Sequence, residues 1–302
     1  MDAADLRIFE AVARLGGMHK AAQELNTVQS NVTARIRFLE EELGVALFRR
    51  HSRGATLTHA GQQLLPYAVK VASTLAEAKR AVTDTDSPSG PLAIGSLETT
   101  ASLRLPSVVA AFGRKYPEVK LSLRIGTNST LIEQVLNHEL DGAFVCAPIR
   151  HPDIKGNVAF HEELVVATAS TVQSLEGVVT PGCKILIKAP GCAYRERLES
   201  WLEAQGVSQF DRLEFGTLDA IVGCVEAGLG FTMLPRSVLE RANGRGNLQL
   251  HKLPPREGEV ETLFIRRNDI YEFSALRAFL ATTLSVQAGS ALPNAEGSSG
   301  ER

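Results

Sequence analysis

The chain has 302 residues and a net charge of −2, from 32 basic against 34 acidic side chains. That length suffices for two or three compact units. No run approaches the ~20 apolar residues of a membrane-crossing helix, which excludes a helical membrane protein. The start, Met1-Asp2-Ala3-Ala4-Asp5, is acidic and leads into an amphipathic helix. It lacks the basic start and apolar core of a signal peptide, so a cytoplasmic location is expected.

Leu6, Phe9 and Ala13 recur at helical spacing, predicting a first helix over 5–15 that ends at Gly16-Gly17. A second helix is predicted over 19–25, with the turn at Asn26-Thr27, and a third over 28–43 that stops at Gly44. On the third helix Val32, Ile36, Leu39 and Leu43 form one apolar stripe. Gln29, Ser30, Asn31, Thr33, Ala34 and Arg37 occupy its N-terminal half, where the helix dipole favours phosphate. Ser, Thr and Gln reach base edges, and Arg pairs with guanine or phosphate. The bland alternative is a solvated polar face.

The segment 49–57 reads as two short strands around a turn at Ser52-Arg53-Gly54. Its arginines, Arg49, Arg50 and Arg53, together with Arg35 and Arg37, concentrate positive charge that the net charge conceals. Wing arginines of this kind suit the phosphate backbone of double-stranded DNA. Glu40, Glu41 and Glu42 follow towards the end of the third helix. Thr58 then caps a long helix in which Leu64, Ala68, Val71, Leu75, Ala78 and Val82 make a heptad seam, with a kink predicted at Pro66. The seam either packs on the chain's own core or pairs with a second chain, and its length favours pairing. Residues 83–91 are rich in Asp, Ser, Pro and Gly and read as a linker.

From Pro91 the pattern becomes strand, loop, helix. Strands are predicted at 92–95, 119–125, 142–145, 164–168, 184–187, 212–215, 230–234 and 260–266. Helices are predicted at 104–116, 129–138, 194–205, 218–226 and 271–286. Such alternation implies parallel sheets covered by helices, in two similar halves. After Gln287 the composition predicts a disordered tail. Cys146, Cys183, Cys192 and Cys224 form no Cys-x-x-Cys pair and no His lies at zinc spacing. Reduced thiols are expected, with no cofactor and no metal.

The blocks Ala21-Ala22-Gln23-Glu24-Leu25, Gln29-Ser30, Ile36-Arg37-Phe38-Leu39-Glu40, Leu43-Gly44, Leu47-Phe48-Arg49-Arg50 and Leu57-Thr58-His59-Ala60-Gly61 occur in order. Tyr116-Pro117, Leu140-Asp141-Gly142-Ala143, Ala227-Gly228-Leu229-Gly230-Phe231 and Leu234-Pro235 follow. With these blocks the sequence resembles the LysR-type transcriptional regulators over nearly its whole length. Ile94-Gly95-Ser96-Leu97-Glu98-Thr99-Thr100-Ala101 and Gly191-Cys192-Ala193-Tyr194-Arg195 are similar to a narrower branch. His19 and Thr33 depart from the usual Ser or Thr and Ser of the family, which bears on the preferred DNA sequence.

The resemblance implies an α/β fold with an all-α N-terminal part: a winged helix-turn-helix head, a long linker helix and a two-subdomain, periplasmic-binding-protein-like effector domain. The implied divisions are 1–58 for the head, 59–90 for the dimerising helix and hinge, 91–287 for the effector domain and 288–302 for the tail. Within the effector domain, subdomain 1 would hold 91–160 and 268–287, and subdomain 2 163–264. Open sheets bind ligands at strand carboxyl ends. Those ends carry Ser96, Glu98, Thr99, Thr100 and Ser102, then Thr127 and Asn128, then Cys146, Lys188 and Thr217. Hydroxyls and helix-start amides suit a small carboxylate, or they cap their own helices. Glu98 opposes a simple anion unless Lys188 or Arg195 pairs with it, or else it selects a cationic group.

The expected function is therefore sequence-specific, effector-modulated DNA binding by a homodimer or homotetramer that engages RNA polymerase. A thiol switch on Cys183 and Cys192 is a variant, opposed by the core strand between them. The rival from another class is a two-lobed solute-binding protein or enzyme. No phosphate loop, nucleophile elbow or His-Glu-x-x-His supports an enzyme, and His151, His161 and Glu162 read as scattered surface residues.

Overall fold

A computed structural model describes residues 1–51, 54–244 and 246–290. Arg53 and the expected tail from residue 291 onward lie outside the described residues. The chain divides into two compact units at Thr85/Asp86.

The first unit opens with α1 (Ala3–Leu15), α2 (Met18–Glu24) and α3 (Gln29–Leu43). Asp2 and Asp5 cap α1 reciprocally, each side chain accepting from the other's backbone N–H. Asn26, at φ 51°, turns the chain between α2 and α3. The α3 stripe is real over Val32, Ile36 and Leu39, all fully buried with Phe9, Ala21 and Leu47. Each of these side chains larger than alanine contributes roughly 1.5–3 kcal/mol of burial. Leu43, counted in the stripe from spacing alone, is instead exposed in the last turn.

The hairpin β1 (Phe48–His51) and β2 (Gly54–Leu57) is antiparallel. It is seated on the α1 end, where Ala55 N–H donates to the Gly16 carbonyl at 2.9 Å. Gly54 has φ 142°, and a Cβ there would lie 2.2 Å from that carbonyl oxygen, so only glycine allows this approach. Thr58 caps α4 (His59–Thr83), accepting from Gly61 N–H. The helix continues through Pro66. Its first half packs on the head through Leu64, Ala68 and Val71, whereas Leu75, Ala78 and Val82 are exposed.

The second unit begins with β3 (Gly90–Ser96), α5 (Glu98–Leu103), α6 (Leu105–Lys115), β4 (Val119–Ile125), α7 (Asn128–Leu136) and β5 (Gly142–Cys146). It continues with β6 (Ile154–Ala169), β7 (Cys183–Ile187), α8 (Ala193–Ala204), β8 (Phe210–Glu214) and α9 (Leu218–Glu226). The chain then forms β9 (Thr232–Pro235), α10 (Arg236–Ala242), β10 (Leu248–Lys252), α11 (Pro255–Gly258), β11 (Glu259–Arg267) and α12 (Ser274–Ser290). α12 runs past residue 287, where a tail was expected.

The expected all-parallel halves need correction. β3 pairs in parallel with β4 and β5, and β7 with β8, but β6 and β11 run antiparallel to their neighbours. One sheet of order β10-β6-β11-β5-β3-β4, with β9 also on β6, therefore links both subdomains. β6 is the connector: its first half pairs with β11 and its second with β9 and β10. An aromatic core holds subdomain 1, with Phe144 edge-on to Phe264 at 5.0 Å and Phe112 edge-on to Phe279 at 5.3 Å. Asp141 fixes the start of β5 by accepting from Ala93 N–H at 2.8 Å.

Candidate functional site

The N-terminal half of α3 presents a continuous polar surface. Gln29, Ser30, Asn31, Ala34 and Arg37 are exposed, and Thr33 is half-buried beside them. Asn31 donates to the Thr27 hydroxyl at 3.0 Å, and Arg37 pairs with Glu41 at 2.9 Å. The latter is an exposed i,i+4 pair of small net value, so exchanging Glu41 for a phosphate or guanine costs little. Arg49 is exposed on the wing without an ion-pair partner among the described residues, and Arg50 lies 3.9 Å from Glu40.

Arg35 behaves differently from its grouping by charge. Its guanidinium donates to Asp5 at 2.8 Å and lies 3.6 Å from Asp2. Asp5 is 1% exposed, so Arg35 is occupied in tying α3 to the α1 cap. Glu40 is likewise structural: its carboxylate accepts from Leu47 N–H at 2.8 Å and Phe48 N–H at 3.1 Å, clasping the wing to α3.

In the second unit, a cavity of about 480 Å³ opens between the subdomains. Glu98 and Thr99 of α5 and Thr127, Thr130 and Gln134 at α7 form one wall, with Lys188, Tyr194 and Leu218 opposite. Lys188 donates to Glu98 across the gap. The Thr99 and Tyr194 hydroxyls are 3.3 Å apart, and burial pushes the Tyr194 phenol well above its usual range, so it stays neutral. Leu97, Ile125, Leu218 and Leu234 supply apolar surface. Gly191, at φ 86°, closes against α7: a Cβ there would lie 2.2 Å from Ser129 Oγ.

Two domain families match the chain, one over the region of each site. Residues 3–62 match the bacterial regulatory helix-turn-helix proteins of the lysR family. Residues 85–288 match the LysR substrate binding domain. The chain belongs to the LysR family of transcriptional regulators. It is 46% identical over 287 residues to YusT, an uncharacterized HTH-type transcriptional regulator of Bacillus subtilis, covering 95% of this chain and 97% of that one. YofA of the same organism is 43% identical, over 93% and 97% of the two chains. A full-length OxyR variant of Pseudomonas aeruginosa shares the fold at TM-score 0.72 and 19% identity, over 95% of each chain. Full-length CbnR crystallised with its target DNA does so at TM-score 0.62 and 22% identity, over 95% of this chain and 100% of that one.

Within this LysR-family scaffold, the residues predicted from strand ends divide into three groups. Glu98, Thr99, Thr127 and Lys188 line the cavity. Ser96, Thr100 and Ser102 do not: Ser96 and Thr100 are buried, and the Ser102 hydroxyl donates to the Thr99 carbonyl. Thr217 caps α9, accepting from Ala220 N–H at 3.3 Å. Asn128 and Cys146 are clasped together, Asn128 donating to the Cys146 carbonyl at 2.8 Å and accepting from its N–H at 2.9 Å. They face a neighbouring cavity of about 410 Å³ that shares Ala193 with the first.

Spacing alone missed Tyr194, Gln134 and Thr130 on the cavity wall, since each lies inside a helix rather than at a strand end. It also misplaced Glu162, which is half-buried and accepts from Arg104 Nε and Nη2 at 2.9 and 3.0 Å, with Ser237 at 3.4 Å. The four cysteines are free. Cys183 begins β7, a strand ~13 Å long, and Cys192 lies in the loop beyond its far end. Burial pushes the Cys146 thiol up to about 11, far from a reactive thiolate.

Proposed function

We propose that this LysR-family regulator reads specific double-stranded DNA with the N-terminal half of α3 as a paired molecule, under control of a small effector bound in the 480 Å³ cleft. The observation that carries this reading is the division of α3. Its buried stripe fixes it to the head, and its opposite face leaves Gln29, Ser30, Asn31, Ala34 and Arg37 open to a groove. Arg49 and Arg50 anchor the flanking backbone. Arg35 contributes by positioning α3. The exposed second half of α4 joins two copies, and effector-domain contacts extend the pair to a tetramer. RNA polymerase is the downstream partner, the protein acts in the cytoplasm, and no enzymatic step is required. The effector works by preferring one arrangement of the subdomains.

Footprinting on DNA upstream of the protein's own gene tests this directly. Arg37→Ala weakens the specific site about 10- to 100-fold and relaxes selectivity at one base position. Arg50→Ala weakens all sequences alike and lowers the salt slope by about one. An unchanged footprint for Arg37→Ala, or a loss confined to one base pattern for Arg50→Ala, counts against these roles.

Control by the cleft has its own test. Gly191→Val places a branched side chain where Ser129 stands and strains a left-handed backbone. It is expected to remove effector-dependent changes in the footprint while leaving effector-free DNA affinity within about threefold. A variant that still responds normally would remove this closure from the switch.

A further inference from the structure

The charged groups on the cleft wall specify more than the presence of a ligand. Among the described residues lining the cavity, Glu98 and Lys188 are the charged side chains, one from each subdomain, paired with each other. Both remain partly open to the cavity, at 35% and 23% exposure. Arg195, the other cation near this edge, is engaged by Glu199 at 3.2 Å and Glu214 at 2.7 Å, and is not on the wall. The site thus holds one positive and one negative group and no surplus of either.

That balance discriminates between ligand classes. A simple carboxylate would take Lys188 and leave Glu98 without its cation beside a second negative charge, in a partly desolvated site. A simple amine would strand Lys188 in the same way. An uncharged ligand would leave the pair intact and gain nothing from it. A molecule with both charges can replace each partner: its ammonium sits on Glu98 and its carboxylate on Lys188. The remaining wall suits the body of such a molecule. Leu97, Ile125, Leu218 and Leu234 offer apolar contact, and the Thr99, Thr127 and Thr130 hydroxyls are nearby. The Gln134 carboxamide has no hydrogen-bond partner among the described residues and is available to a polar tail.

We propose that the cleft selects a zwitterion, an amino acid or close analogue, which inserts between Glu98 and Lys188 and so exchanges a direct link between the subdomains for a ligand-bridged one. This rests on the cleft being the effector site. It also gives the ligand a mechanical consequence, because the pair it replaces spans the two subdomains.

The test uses the full-length protein, with thermal shift and calorimetric titration at low salt. The probes are the twenty proteinogenic L-amino acids and, for each, the corresponding deaminated acid and decarboxylated amine. At least one amino acid is expected to bind, and removing either its ammonium or its carboxylate is expected to weaken it by ~30-fold or more. Glu98→Gln is expected to shift preference from that amino acid towards its deaminated acid. A deaminated acid that binds the native protein as tightly as its parent overturns the proposal, as does an absence of binding across the twenty. Ile125→Trp, which fills the cavity from an exposed position, separates the two readings. If an acid alone binds and Ile125→Trp removes it, the cleft stands and the zwitterion falls. If an amino acid binds and Ile125→Trp leaves it untouched, the cleft itself is the wrong site.

Discussion

Replacing Leu75 and Val82 together by Glu is expected to reduce the particle mass in solution at least twofold and to abolish specific DNA binding, with both folded units intact. Leu75 is 53% and Val82 87% exposed on α4. Neither is needed by the chain's own core, so the folded monomer loses little. In a pair built on this face, each carboxylate would be buried against apolar surface at about 2 kcal/mol. A two-fold interface counts every substitution twice. Two substitutions then cost about 8 kcal/mol, or roughly five to six decades in the dissociation constant. Light scattering reads the mass, and circular dichroism with a melting curve reads the fold. The heads would then bind DNA singly, losing the added affinity of two linked contacts, on the order of 100-fold or more. An unchanged mass would place the pairing surface elsewhere.

The same helix shows why periodicity is an incomplete guide. The heptad seam was legible because Leu64, Ala68, Val71, Leu75, Ala78 and Val82 repeat at the spacing of one face. Spacing does not say what covers that face. The structure divides it: Leu64, Ala68 and Val71 pack into the head, and the later positions stay open. The own-core reading holds for the first half, and the second half is left exposed, as the pairing reading requires.

In the second unit, the βαβ strands were legible from short apolar runs. β6 was legible only in its second half, over 164–168, because its sixteen residues pass from a half-exposed subdomain edge into a fully buried one. Neither a period of two nor a continuous apolar run describes the whole. Of the ten residues expected at the cleft, only Glu98, Thr99, Thr127 and Lys188 line the cavity. Thr99 and Thr100 are neighbours in α5 and point ~100° apart, so the choice depends on where a six-residue helix begins. Glu98-Thr99-Thr100-Ala101-Ser102 carries too few apolar residues to declare that helix. Glu98 and Lys188 illustrate a third case: chemistry left Lys188, Arg195 or a cationic ligand group as partners for the Glu98 carboxylate, and the structure pairs it with Lys188.

Arg35 was misread for the same reason of separation, and it carries the largest expected effect on the head's stability. It is thirty positions from Asp5 and sits in an arginine cluster whose other described members, Arg37, Arg49 and Arg50, face outward. Arg35→Ala leaves the buried Asp5 carboxylate with one hydrogen-bond donor among the described residues, the Asp2 backbone N–H at 3.0 Å. Removing one partner from such a group costs about 2 kcal/mol, which lowers the melting temperature of a domain this small by about 10 °C. The Asp5→Ala/Arg35→Ala pair should be less destabilised than the sum of the single changes, by about 1 kcal/mol or more. Measured well below the melting transition, DNA affinity of Arg35→Ala should fall by no more than about threefold, whereas Arg37→Ala should fall further without loss of stability. The reverse result, an unchanged melting temperature with lost DNA affinity, would return Arg35 to the groove. The two arginines, two positions apart on α3, therefore separate fold from function. The inward one ties α3 to the α1 cap, and the outward one, open to solvent, is the one the proposed reading assigns to DNA.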